Sequence, residues 1–178
     1  MGHIAIIDYR AEHAFHFERL NKAWIEKWFW LEERDRWVLE NPHQAILAKG
    51  GAILMATYDG EVAGTVALKK VNDDVYEFTK MAVDEQFRRR GIAEALSYAA
   101  FDKARALGAK KVILYSNRIL VPAITMYHKL GFTEVPIEKD IVYQRSDIKM
   151  EISLPMPLRG GVVNTQTSPV LDTITQNS

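Results

Sequence analysis

The residues with the most chemical content stand together at Phe87-Arg88-Arg89-Arg90-Gly91-Ile92-Ala93. An apolar run, Phe78 to Val83, comes just before them, and a long helical pattern follows. Strand, basic glycine turn and helix in that order gather backbone N–H groups and positive charge at one helix N-terminus, a place that binds anions and phosphates above all. Gly91 leaves the turn unobstructed, small Ala93 keeps the next turn open, and the arginines add charge and forked donors. A helix start ordinarily favours acidic residues, so three arginines there oppose the macrodipole and are poorly explained by structure alone. Two phosphate patterns are absent: Gly91 is followed by Ile92-Ala93 rather than Lys-Ser/Thr, and no G-x-G-x-x-G occurs. His13 and His16 stand three apart on a helical stretch, but no third ligand accompanies them, and no metal is expected.

The elements around the turn can be read from pattern. His3 to Asp8 reads as a strand. A helix begins near Ala11, with Phe17, Leu20, Trp24 and Trp28 on one face, and Asp35 to Leu39 forms a second one stopped by Asn41-Pro42. Trp24 to Trp37 is rich in aromatics, which suits core packing or the lining of a cleft. Ala52–Tyr58, a hairpin turn at Asp59-Gly60, Glu61–Val71, a turn at Asn72–Asp74 and Val75–Val83 make an antiparallel meander leading into the basic turn. In the helix after it, Ala93, Leu96, Ala100, Ala104 and Leu107 share a face, and Gly108 suits its C-terminal cap. Lys111–Tyr115 is a strand, Pro122 opens a helix that Gly131 closes, and strands follow at Phe132–Ile137 and within Asp140–Leu154. The order β–α–α–β–β–β–α–β–α–β–β gives an α+β class of α/β type. Residues 1–154 form the expected domain; 155–178, rich in Pro, Gly, Ser and Thr, reads as a flexible tail.

Composition bounds the rest. The 178 residues carry 23 basic and 23 acidic side chains, a net charge of zero, so neither nucleic acid nor membrane is an expected partner. There is no cysteine, which excludes disulfides and a cysteine nucleophile and is compatible with a cytoplasmic location. No apolar run approaches the roughly 20 residues needed to span a bilayer, and the N-terminus lacks the layout of a signal peptide.

Arg88-x-x-Gly91-x-Ala93 after a strand resembles the [RQ]-x-x-G-x-[GA] acyl-CoA loop of the GNAT N-acyltransferase superfamily. Glu77-Phe78-Thr79-Lys80-Met81-Ala82-Val83 looks like that family's fourth strand. Ala123-Ile124-Thr125-Met126-Tyr127-His128-Lys129-Leu130-Gly131-Phe132 is similar to its A-I-x-L-Y-x-K-L-G-F signature. The resemblance covers roughly residues 50 to 152. It implies a mixed, mostly antiparallel central sheet with splayed strands, flanked by helices, and acetyl-CoA as co-substrate. The pantetheine arm would lie in the splay, Met81 and Val83 offering it backbone groups. The amides of Arg88, Arg89, Arg90, Gly91, Ile92 and Ala93 would hold the pyrophosphate. Asn117 would reach the pantetheine, although it stands ten residues before Tyr127 where many members place an asparagine seven before. The implied reaction is direct attack of a primary amine on the thioester, with Glu77 as base and Tyr127 as acid for the leaving thiolate. Dimers are common in the family, which leaves a homodimer open. The resemblance does not specify the acceptor amine. The competing readings are a non-catalytic acyl-CoA-binding or sensing domain and a nucleotide-binding protein.

Overall fold

The computed structural model describes residues 2–140 and 145–154. The tail expected at 155–178, and Ile141 and Tyr143 of the last expected strand, lie outside the described residues. Seven strands form one sheet in the order β1-β2-β3-β4-β5-β7-β6. They are β1 (Ile4–Asp8), β2 (Ala52–Tyr58), β3 (Glu61–Lys70), β4 (Val75–Val83), β5 (Lys111–Ser116), β6 (Thr133–Val135) and β7 (Ile148–Ser153). All neighbours are antiparallel except β4 and β5. The helices are α1 (Ala14–Trp28), α2 (Glu33–Glu40), α3 (Ile92–Ala106) and α4 (Val121–Leu130). Among the described residues no helix is long and apolar enough to cross a membrane.

Alternation along the strands builds two cores. Leu54, Val66, Leu68 and Phe78 face α3, where Ile92, Leu96, Ala100, Phe101 and Ala104 are buried, and Phe132, Ile148 and Met150 extend that core beside α4. Ile53, Met55 and Ala67 face the other way, onto Phe17 and Ile25 of α1 and Leu39 of α2. Gly64 of β3 marks a close approach between sheet and helix: a Cβ there would lie 3.1 Å from Ile92 Cγ2 and from Leu96 Cδ1. That closeness seats the start of α3 directly over the sheet.

Some expected boundaries move. Ala11–His13 is a 3-10 turn, and α1 starts at Ala14. Its buried face is Phe17, Leu20, Asn21 and Ile25, while Trp28 is 44 % exposed, because the helix rolls toward the sheet by one position. Leu107 caps α3 and is also exposed. The strand expected over Phe132–Ile137 is only three residues long.

Two irregularities shape the functional face. β4 and β5 pair only at Val75–Glu77 with Lys111–Ile113, after which no pairing joins them, so the strands splay. Between the pairs Thr65↔Ala82 and Ala67↔Thr79, Val66 opposes both Lys80 and Met81, a bulge in β4. Lys80 sits in it with φ +54°, left-handed backbone that a lysine adopts rarely.

Candidate functional site

The splay opens the sheet along the C-terminal half of β4. On one side runs a groove of about 970 Å³. Its wall is Met81, Ala82 and Val83 of β4, then the turn through Arg88, Arg89, Gly91, Ile92 and Ala93, with Met126 and Tyr127 of α4 opposite and α1 along the rim. On the other side lies a small cavity of about 100 Å³ lined by Glu77, Thr79, Lys80, Tyr115, Asn117, Arg145 and the aromatic rings of Trp24 and Phe29. Met81, Trp24 and Tyr127 line both. They stand where the two spaces meet.

The basic turn is built for an anion at the groove end. Gly91 precedes α3 with φ +81°, and Arg89 has φ +62°. Left-handed residues separated by an ordinary one are the backbone pattern from which anion-binding nests are made. A Cβ on Gly91 would meet no protein atom, so its backbone angle, not lack of room, requires glycine. The first amides of α3 have no carbonyl one turn back, which leaves them for a ligand. The arginines divide. Arg88 and Arg89 line the groove. Arg90 turns away: its Nη1 donates to Tyr58 Oη at 2.9 Å, and its guanidinium lies 4.8 Å from that ring's centre. The lysine and arginine of α1 on the rim are tied to the same loop, Arg19 to Asp84 at 3.2 Å and Lys27 to Glu85.

Glu77 is the last residue of β4 paired with β5. Tyr76 and Phe78 point into the α3 core, so alternation sends Glu77 to the opposite face, where it is 7 % exposed. Burial pushes its carboxyl above the ordinary value, against the opposing pull of Lys69, Lys80 and the Thr79 side chain. It is a carboxylate made more basic by its surroundings, facing the small cavity. Tyr127 is half-buried on α4, edge-on to Phe78 at 6.1 Å and to Phe132 at 5.9 Å. Burial pushes its phenol up to about 12, so it keeps its proton at neutral pH. No hydrogen bond joins its hydroxyl to another described residue.

Asn117 follows β5 and lines the small cavity. Its Nδ2 donates to the Arg145 carbonyl at 2.6 Å and its Oδ1 accepts from Ile119 N at 3.0 Å, so it fastens the end of β5 to the loop before β7. Sequence reasoning gave no role to Lys80 or Arg145. Lys80 Nζ meets Asp35 Oδ1 at 2.9 Å, and Arg145 reaches both oxygens of Asp35, at 2.5 and 2.9 Å, and Glu32 at 2.7 Å. Burial would raise the Asp35 carboxyl, but the Arg145 hydrogen bonds and the Lys80 charge outweigh it and hold the group at about 2. These contacts join residues up to 113 positions apart, so no local pattern announces them. The histidines serve locally: His13 Nδ1 accepts from Arg10 N, and His16 Nδ1 from Arg19 Nε. Among the described residues no group of His, Asp and Glu side chains is arranged to hold a metal.

Comparison with known proteins gives the same picture. The family described as "Acetyltransferase (GNAT) family" matches residues 9–132. Mycothiol acetyltransferase of Corynebacterium glutamicum is 30% identical over 123 residues, which cover 67% of this chain and 41% of that protein. The human N-acetylaspartate synthetase is 34% identical over 84 residues, 47% of this chain and 28% of that one. The chain thus spans less than half the length of either relative. An acetyltransferase of the GNAT family from Staphylococcus aureus superposes with a TM-score of 0.76 at 18% identity, covering 85% of this chain and 99% of that one. YncA of Salmonella typhimurium, solved with acetyl-CoA, superposes with a TM-score of 0.69 at 16% identity, covering 89% and 98%. With the splayed mixed sheet, the nest before α3 and a family match over 9–132, the chain belongs to the GNAT acetyltransferase family.

Proposed function

We propose that the protein is an N-acetyltransferase that moves an acetyl group from acetyl-CoA to a primary amine of a small molecule or peptide by direct attack. One observation carries the reading. A long groove ending in a basic nest and a small cavity holding a buried carboxylate meet at Met81, Trp24 and Tyr127.

Acetyl-CoA supplies the acyl group as a thioester. The residues present fit it. The amides from Arg88 to Ala93, with the side chains of Arg88 and Arg89, would take the pyrophosphate. The backbone of Met81 and Val83, left unpaired by β5, would receive the pantetheine arm, and the second amide hydrogen of Asn117 would serve it from the other wall. Glu77 takes the proton of the incoming ammonium, directly or through one water, freeing the nitrogen lone pair. That nitrogen forms the new bond to the acyl carbon as the carbon–sulfur bond breaks. The Tyr127 hydroxyl delivers a proton to the departing sulfur, and the proton left on the new amide nitrogen passes, directly or through water, to the Tyr127 phenolate and restores it. Trp24 and Phe29 give the acceptor an aromatic wall. The cysteine-free chain suits the cytoplasm, and the family's habit suits a homodimer; fractionation and sedimentation test these two points.

The test is release of CoA in the presence of an amine panel, with wild type beside Tyr127→Phe and Glu77→Gln. Turnover on at least one amine, reduced in both variants, supports the reading. Tight acetyl-CoA binding with no turnover on any amine would replace it with a sensor.

A further inference from the structure

The irregular point of β4 is Lys80. Its φ of +54° is backbone that suits glycine, yet the chain places a lysine there. The Lys80 side chain makes contacts that a glycine could not. Only 5 % exposed, that side chain reaches inward to Asp35, whose side chain is fully buried, with Nζ 2.9 Å from Oδ1. Asp35 is itself held from several directions. It stands in the first turn of α2, its Oδ2 accepting from Glu32 N at 3.3 Å, and both Nη atoms of Arg145 reach it from the loop before β7. The bulge thus carries an anchor fixed to two other elements. Immediately after the bulge come Met81, Ala82 and Val83, the wall of the donor groove, while Lys80 and Arg145 line the acceptor cavity.

We infer that Asp35 is a positioning residue: its buried carboxylate holds Lys80 in the left-handed bulge and so sets the direction in which Met81–Val83 face the donor. This rests on the groove being the acetyl-CoA site. A residue that clamps a backbone differs from one that merely balances charge, because glycine in the bulge can replace the first and not the second. Glycine adopts φ near +54° without strain; methionine removes the charge as glycine does but keeps the β-carbon that disfavours the angle.

The experiment compares wild type, Asp35→Asn, Asp35→Asn with Lys80→Gly, and Asp35→Asn with Lys80→Met. Two readouts are taken: the acetyl-CoA dissociation constant by calorimetry, and hydrogen exchange at the amides of Met81–Val83 without ligand. Asp35→Asn is expected to weaken acetyl-CoA about tenfold and to speed exchange at those amides. Adding Lys80→Gly restores both toward wild type, and adding Lys80→Met does not. Equal rescue by the two substitutions, or unchanged exchange in Asp35→Asn, overturns the inference. If Asp35→Asn cannot be purified, the single variants decide: Lys80→Gly keeps wild-type exchange and affinity and Lys80→Met loses both, whereas equal behaviour refutes the clamp. Exchange following this pattern while even wild type ignores acetyl-CoA would uphold the clamp and sink the donor-site reading instead.

Discussion

Replacing Glu77 by Gln keeps the side chain's shape and removes its capacity to take a proton. Two effects of opposite sign follow. A positioned general base contributes about 10²- to 10⁴-fold to rate, so kcat is expected to fall at least about 100-fold, roughly 2.7 kcal/mol of barrier. The KM for acetyl-CoA should barely move, since Glu77 faces the small cavity and not the groove. In wild type, kcat/KM should rise with pH through an apparent pKa above 4.5, because burial opposes the charged carboxylate. In Glu77→Gln that limb should vanish. Stability should respond the other way. The folded protein holds the Glu77 proton more tightly than the unfolded chain does. The protonated form therefore stabilises fully below the unfolded value, and this contribution is lost as pH rises through the raised folded value. Gln suffers no such loss. Glu77→Gln should melt at or above wild type in mildly alkaline buffer, and the gap should close as pH falls toward 4.5. Steady-state CoA release and thermal melts across the pH range read both effects. A variant that keeps wild-type kcat and its pH limb, or one that simply melts lower at every pH, would refute the reasoning.

Tyr127→Phe should lower kcat by about 100-fold or more with the acetyl-CoA KM preserved; its melting point should stay close to wild type, because no described residue bonds the hydroxyl. Arg89→Ala should weaken CoA binding by about tenfold, the scale of one charge-assisted hydrogen bond, while Arg90→Ala, whose side chain lies on Tyr58, should cost affinity far less; calorimetry separates them. Asp35, held at about 2 by Arg145 and Lys80, contributes stability that is present above its ordinary 3.8 and lost as pH falls through about 2. Wild type should lose roughly 2 kcal/mol over that interval, and acid titration of Asp35→Asn should lack the step. Gly64→Val should destabilise by about 1–3 kcal/mol through overpacking against Ile92 and Leu96, read by urea denaturation.

The basic turn at the end of the groove was legible because it is written locally. The turn, its helix and the strand before it occupy one unbroken stretch marked by glycine and arginine spacing. The meander was legible for the same reason, since Asp59-Gly60 and Asn72–Asp74 announce their turns. Arg90 was misjudged as an equal partner of its neighbours because side-chain direction in a turn depends on what lies alongside, here a tyrosine 32 residues earlier. The aromatic stretch split in a way periodicity could not foresee. Phe29 lines the small cavity, Trp28 the long groove, Trp24 both, and Trp30 and Trp37 stand exposed. The bulge at Lys80 was invisible because nothing in a lysine suggests left-handed backbone. The aspartate that Lys80 pairs with lies on α2 and is brought near only by folding.

The most direct test is a crystal structure with acetyl-CoA. The expected density has the pyrophosphate on the amides of Arg88–Ala93, the pantetheine between β4 and β5 against Met81 and Val83, and the thioester between Tyr127 and the Glu77 cavity. Density for the cofactor elsewhere, with the gap between β4 and β5 left open, would contradict it.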